Sequence, residues 1–214
     1  MAPATLRKLA FGLLAIASLG VAGYAIVAYS LRPLGSMVHP EMRATYNAHA
    51  PWILTHIFAS AITLLLGPWQ FMTSVRTRWP RFHRISGRLY LGLGVLAGGV
   101  AALYMSFYAF GGMVSTSGFA LLAVGWLATG AMALHTARKG DFAAHRRWMI
   151  RNFALALAAL TLRLGLAGGF ASGMRFETFY PWLAWLSWIP NVVIAEWIIS
   201  TTRRRGADPK APQH

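Results

Sequence analysis

Long apolar runs separated by short polar stretches dominate the chain. Six runs can be drawn, at about 9–31, 52–73, 88–110, 116–137, 148–170 and 181–200. Each is close to the ~20 residues with which an α-helix crosses ~30 Å of hydrocarbon. No region alternates apolar and polar positions with period two over several segments, which argues against a membrane β-barrel. The pattern predicts an all-α, polytopic membrane protein of six transmembrane helices. It forms one transmembrane domain over residues 1–214, with a basic, disordered tail at 201–214. The first run follows Arg7-Lys8, and Val21-Ala-Gly-Tyr-Ala25 within it imitates a signal-peptide cleavage site. The apolar residues continue to Tyr29, so this run is expected to stay as a membrane anchor.

Two of the polar stretches rhyme. Arg76-Thr-Arg-Trp-Pro-Arg-Phe-His83-Arg84-Ile-Ser-Gly-Arg88 and Arg138-Lys-Gly-Asp-Phe-Ala-Ala-His145-Arg146-Arg147-Trp-Met-Ile-Arg151 each lie between two apolar runs and each contain a His-Arg pair. Gly67 precedes His83 by 16 residues and Gly130 precedes His145 by 15, so spans 2–3 and 4–5 share a plan. Two hairpins of equal orientation can be related by a pseudo-twofold along the membrane normal. The repeat predicts a four-helix core from spans 2–5, with His83 and His145 facing one another near one membrane surface and spans 1 and 6 as flanks. Pro80 suits the first turn of a helix through His83, and Asp141 suits the cap of a helix through His145.

Charge sets the orientation and excludes other classes. The formal net charge is +15, from 20 Lys+Arg against 5 Asp+Glu. Such a balance can mark a nucleic-acid-binding protein. Here the basic residues crowd the ends of apolar runs, so topology accounts for them and no nucleic-acid partner is expected. Sixteen lie in the N-terminal segment, the two rhyming loops and the tail, while Arg32, Arg43 and Arg175 lie on the other side. The bias predicts a bacterial inner (plasma) membrane protein with both termini cytoplasmic. Trp52, Trp79, Trp148, Tyr180 and Trp182 fall at the expected interfaces, as anchoring aromatic rings do. Cysteine is absent, which removes disulfides, thiolate chemistry, Cys-ligated zinc and iron–sulfur clusters.

Counting along the helices sorts the polar groups into two depths. Gln70, His83, His135, His145, Asn152 and Glu196 form an inner layer; His39, Glu41, His49, His56 and Arg163 form an outer one. Ionisable groups inside spans are costly and usually face a bundle interior. His83 and His145 suit axial ligation of a b-type haem from two facing helices, with Arg84 and Arg146 pairing with propionates. His135 is an alternative ligand, and the plainer role of all three is a bond to a carbonyl or headgroup. His56, alone or with His49 or His39, could ligate a second haem or metal, and Arg163 could balance a propionate, carboxylate or quinone oxygen. Glu196 is expected to pair with a basic residue or to take protons from a reduced quinone. His39-Pro-Glu-Met-Arg43 with His49 forms a weak candidate for a divalent cation.

His56, Gly67-Pro-Trp-Gln70-Phe, His83-Arg84-Ile-Ser-Gly87-Arg88-Leu-Tyr90, Trp126-Leu-Ala-Thr and His145-Arg146-Arg147-Trp148-Met-Ile-Arg151 through Arg163 together resemble a bacterial family of predicted inner-membrane proteins with a domain of unknown function. The resemblance covers roughly residues 52–165 and implies membership without a mechanism. A looser resemblance is to membrane cytochromes b, whose four-helix cores hold two haems between His pairs. In those proteins the ligands lie within the spans, often two on one helix, whereas here the best pair sits at helix starts. The leading expectation is haem b held by His83 and His145, exchanging electrons with quinone or another redox partner. The rivals are a small-molecule or ion carrier without haem, and a lipid-interacting protein whose Arg-rich face meets anionic headgroups. No Walker motif, Ser-His-Asp set or His-x-x-x-His pattern points to a hydrolase or ATPase.

Overall fold

A computed structural model describes residues 4–206. Six helical stretches within them are long and apolar enough to cross a membrane, and the described residues contain no strand. Span 1 is α1 (Ala4–Leu31). A short helix α2 (Pro40–Ala48) leads into span 2, α3 (Ala50–Phe71). After α4 (Thr73–Arg78), span 3 runs through α5 (Pro80–Leu89), a π-helical segment Tyr90–Ala97 and α6 (Gly98–Ser106). Span 4 is α7 (Gly112–Arg138) and span 5 is α8 (Phe142–Ala156) with α9 (Ala158–Ala171). Span 6 is α10 (Phe176–Leu186) with α11 (Ile189–Gly206). The all-α, six-span architecture is as the hydropathy pattern predicts. Of the expected disordered tail, residues 201–206 continue α11 and the remainder lies outside the described residues.

Spans 3 and 5 begin well before their apolar runs. Capping explains this. Pro80 sits in the first turn of α5, where its missing N–H costs nothing. The Asp141 carboxylate accepts from the Ala144 N–H at 2.8 Å and starts α8. The polar residues that follow are helical because the cap, not hydropathy, decides where a helix starts. His83 and His145 therefore lie in the first turn or so of their helices, as the caps predict.

Spans 2–5 form the core. α3 packs on span 3, α6 on α7, α7 on α8, and α8 returns to α3; α1 flanks α3, while α10 and α11 flank α7, α9 and α8. The two repeat glycines lie where the hairpins meet. A methyl group on Gly67 would sit 2.1 Å from Phe153 Cε2, and one on Gly130 would sit 2.8 Å from Val95 Cγ1. Each glycine thus receives a side chain from the opposite hairpin, which allows the close helix approach on which membrane packing depends.

A buried polar cluster crosses this core. Tyr90 donates to Asn152 Oδ1 at 2.8 Å, and Asn152 Nδ2 donates to Trp126 O at 2.8 Å and Thr129 Oγ1 at 2.9 Å. Tyr90 and Asn152 are both wholly buried. Asn152 lies ten residues into α8, which starts at Phe142 and not near 148, and there it meets Trp126 and Thr129 of α7. At the basic end Gln70 Nε2 donates to Ser86 Oγ at 2.8 Å and closes the first hairpin. Arg151 and Glu196 form a bidentate pair, with Nη2 to Oε2 at 2.8 Å, and the guanidinium lies 4.7 Å from the Trp148 ring centroid. Glu196 thus takes the first of its two expected roles.

Three spans are interrupted. The π-helical segment interrupts span 3, Leu157 separates α8 from α9, and Ser187–Trp188 separates α10 from α11 just ahead of Pro190. Non-helical backbone inside a bilayer must find hydrogen-bond partners within the protein. Thr161 Oγ1 donates to Leu157 O at 3.3 Å and Asn191 Nδ2 donates to Ser187 O at 3.0 Å.

Candidate functional site

The two interruptions in spans 5 and 6 meet a cavity of about 460 Å³, which the later turns of α6 also line through Ala102, Met105 and Ser106. This lies within the ~300–1,000 Å³ usual for small-molecule sites. All six spans contribute to its wall, and α2 contributes Glu41, Met42, Thr45 and Tyr46 at the end away from the basic loops. Trp126 lies on its wall as well. That residue is 14 positions into α7, so at ~1.5 Å per residue the cavity reaches about mid-depth.

His56 and Arg163 both line this cavity. His56 Nδ1 lies 3.1 Å from the carbonyl oxygen of Gly98, the first residue of α6. A carbonyl only accepts, so Nδ1 carries the proton and Nε2 the lone pair. Ser60, one turn along α3, places its Oγ 3.4 Å from the same nitrogen. Arg163 Nη1 donates to Ala159 O in the preceding turn at 2.8 Å, and its guanidinium carbon is 5.8 Å from the Tyr24 ring centroid. The ion pairs among the described residues are Arg151–Glu196 and Arg175–Glu177, so no carboxylate there neutralises Arg163. Desolvation pushes the half-buried Tyr46 phenol above its ordinary pKa, and its hydroxyl is a further donor on this wall. Trp126 Nε1 and Ser187 Oγ, also of lining residues, are buried without hydrogen-bond partners.

The other candidates lie elsewhere. His83 and His145 sit half-buried at the basic end, and neither lines the cavity. His145 Nδ1 donates to Ala133 O on α7 at 2.8 Å, which leaves Nε2 with the lone pair. His83 Nδ1 is buried without a partner. Arg84, Arg146 and His135 are exposed. Among the described residues no three His, Asp or Glu side chains gather as a metal site. The expected cation set of His39, Glu41 and His49 is therefore not assembled. His39 stacks on Phe176 at 3.9 Å between centroids, and His49 meets the Tyr104 hydroxyl at 3.1 Å and packs tilted on Tyr108. Tyr180 is buried against Phe110 and Phe176 beside the cavity and is not an interfacial anchor. Sequence reasoning finds His56 and Arg163 through their depth, but misses Tyr29, Tyr46 and Ser187 as cavity residues. The packing of α1 on α3 and α9 brings Tyr29 to the site, the chain reversal through α2 brings Tyr46, and the break ahead of Pro190 brings Ser187.

No curated protein and no solved structure matches the chain. Residues 53–199 match the family described as predicted membrane protein (DUF2306). The match takes in the core hairpins, the Tyr90–Trp126–Thr129–Asn152 cluster, His56 and Arg163, and the chain belongs to that family.

Proposed function

We propose that the protein binds, and as a carrier moves, a small amphipathic molecule in the cavity that holds His56 and Arg163. Interrupted spans walling a mid-depth cavity are the arrangement by which membrane carriers present polar groups to a ligand. The observation that carries this reading is the un-neutralised Arg163 guanidinium in the wall of that cavity. An intramembrane cation of this kind is costly unless it serves a ligand or a partner. The charge bias of the loops supports a bacterial inner-membrane location with cytoplasmic termini, which turns the α2 end of the cavity toward the opposite side. Incubation of the purified protein with decanol, decanoate or a short-chain quinone, followed by native mass spectrometry, tests the reading. One bound molecule per chain is expected with at least one of the three, and Ala123→Phe, which fills the buried lining position Ala123, is expected to remove it. Absence of any adduct, or adducts that survive Ala123→Phe in a folded protein, would refute it.

A second reading rests on the His145 tautomer. Its Nδ1–H is fixed by the Ala133 carbonyl, which is how an imidazole is oriented to ligate iron through Nε2. With His83 as the second ligand, such a site would take haem b, which supplies one-electron transfer to quinone or a protein redox partner. A Soret band in the purified protein that disappears in His83→Ala and His145→Ala is the expected sign, and no band after growth with haem precursor removes this reading.

A further inference from the structure

We infer that the ligand of the Arg163 cavity is a monoanionic amphiphile, a single carboxylate on an apolar tail. The inference rests on the cavity being a ligand site and adds the chemical class. The guanidinium has five N–H donors, of which the bond to Ala159 O uses one. That bond fixes the group against its own helix while the remaining donors form the planar fork that matches two carboxylate oxygens. The Tyr46 and Tyr29 phenols are further donors in the same lining. Trp126 Nε1 and Ser187 Oγ add two buried donors without acceptors. Hydroxyls can donate or accept, but inside the bundle the Arg163 guanidinium and Trp126 Nε1–H only donate and His56 Nε2 alone only accepts, which favours a head that accepts.

Charge balance sets the number of negative charges. Apart from the phenols, the ionisable groups on the wall are Arg163, His56 and Glu41. His56 holds its Nδ1 proton on Gly98 O, and Glu41 is exposed on α2, where water solvates it. The cation left to be neutralised inside the bundle is Arg163 alone. One carboxylate does this; a phosphate dianion would leave a buried excess charge, and a neutral head would leave the guanidinium uncompensated. Ile53, Ile57, Phe119, Leu122 and Leu162 complete the lining with apolar surface suited to an alkyl tail.

Decanoate and decanol have the same chain length and differ in the charge of the head, so they form the test. Both are titrated into the wild-type protein in a non-ionic detergent, with unfolding temperature and native mass spectrometry as readouts. Decanoate is expected to half-saturate at a concentration at least ten-fold below decanol. Arg163→Gln is expected to abolish that preference while decanol binding persists, and Arg163→Lys to restore part of it. Equal binding of the two by the wild-type protein overturns the anion inference and leaves the cavity reading standing. Binding of neither overturns both. The wild-type comparison decides the matter even if Arg163→Gln fails to fold.

Discussion

Gly67→Ala is expected to destabilise the bundle by about 1–3 kcal/mol, the usual cost of overpacking a close-packed core. Considered locally the change should help, because alanine is a better helix former than glycine by about 1 kcal/mol. The Phe153 ring reverses the sign. The new methyl would lie 2.1 Å from Phe153 Cε2, and that ring is itself buried and packed on Phe71 at 5.5 Å between centroids. It has nowhere to retreat without moving its own neighbours. Thermal unfolding in detergent measures the effect. In a Phe153→Ala background the same Gly67→Ala change is expected to become neutral or stabilising, because the two positions share one contact. A wild-type-like melting temperature for Gly67→Ala, or the same loss in both backgrounds, would show that the packing account is wrong.

Asn152→Leu is expected to cost a similar amount, about 1–3 kcal/mol, by a different route: it leaves buried polar groups without partners. The Tyr90 hydroxyl loses its acceptor, and Trp126 O and Thr129 Oγ1 lose their donor. The Tyr90 hydroxyl is the expensive orphan, since a phenol wholly buried in the bundle has no water to turn to. Tyr90→Phe in addition removes that orphan, and the double variant is expected to regain part of the stability lost by Asn152→Leu alone. If the double variant is as unstable as the sum of the two single ones, the hydroxyl–amide bond is not what Asn152 contributes.

Hydropathy and charge made the architecture legible. Runs near the span length gave the six helices, and the basic loops gave their alternation. The helix starts at Pro80 and Phe142 were legible only through capping chemistry, because the residues that follow them are too polar to register as membrane-spanning. The repeat glycines could be seen as a pair. That each meets a side chain of the other hairpin is a statement about crossing helices, which no spacing along one strand of sequence contains. Of the site, His56 and Arg163 announced themselves because ionisable groups are rare at that depth. Their convergence did not, since His56 is six residues into α3 and Arg163 lies on α9, with two spans between them. The emphasis that the sequence places on the His-Arg pairs reflects composition more than geometry: Arg84 and Arg146 are exposed, while the cation inside the bundle lies elsewhere.

The Asn152 cluster also bears on how the protein is made. Chains emerge from the ribosome N-terminus first, and an amide entering the bilayer alone has no partner to satisfy it. Tyr90, Trp126 and Thr129 belong to spans 3 and 4, so each is synthesised before Asn152 in span 5. The same order holds for Glu196, whose partner Arg151 precedes it. Asn152 and Glu196 thus reach the membrane when their docking sites already exist. Assembly can therefore follow the direction of translation, with each new hairpin recognised by the polar groups of those already inserted.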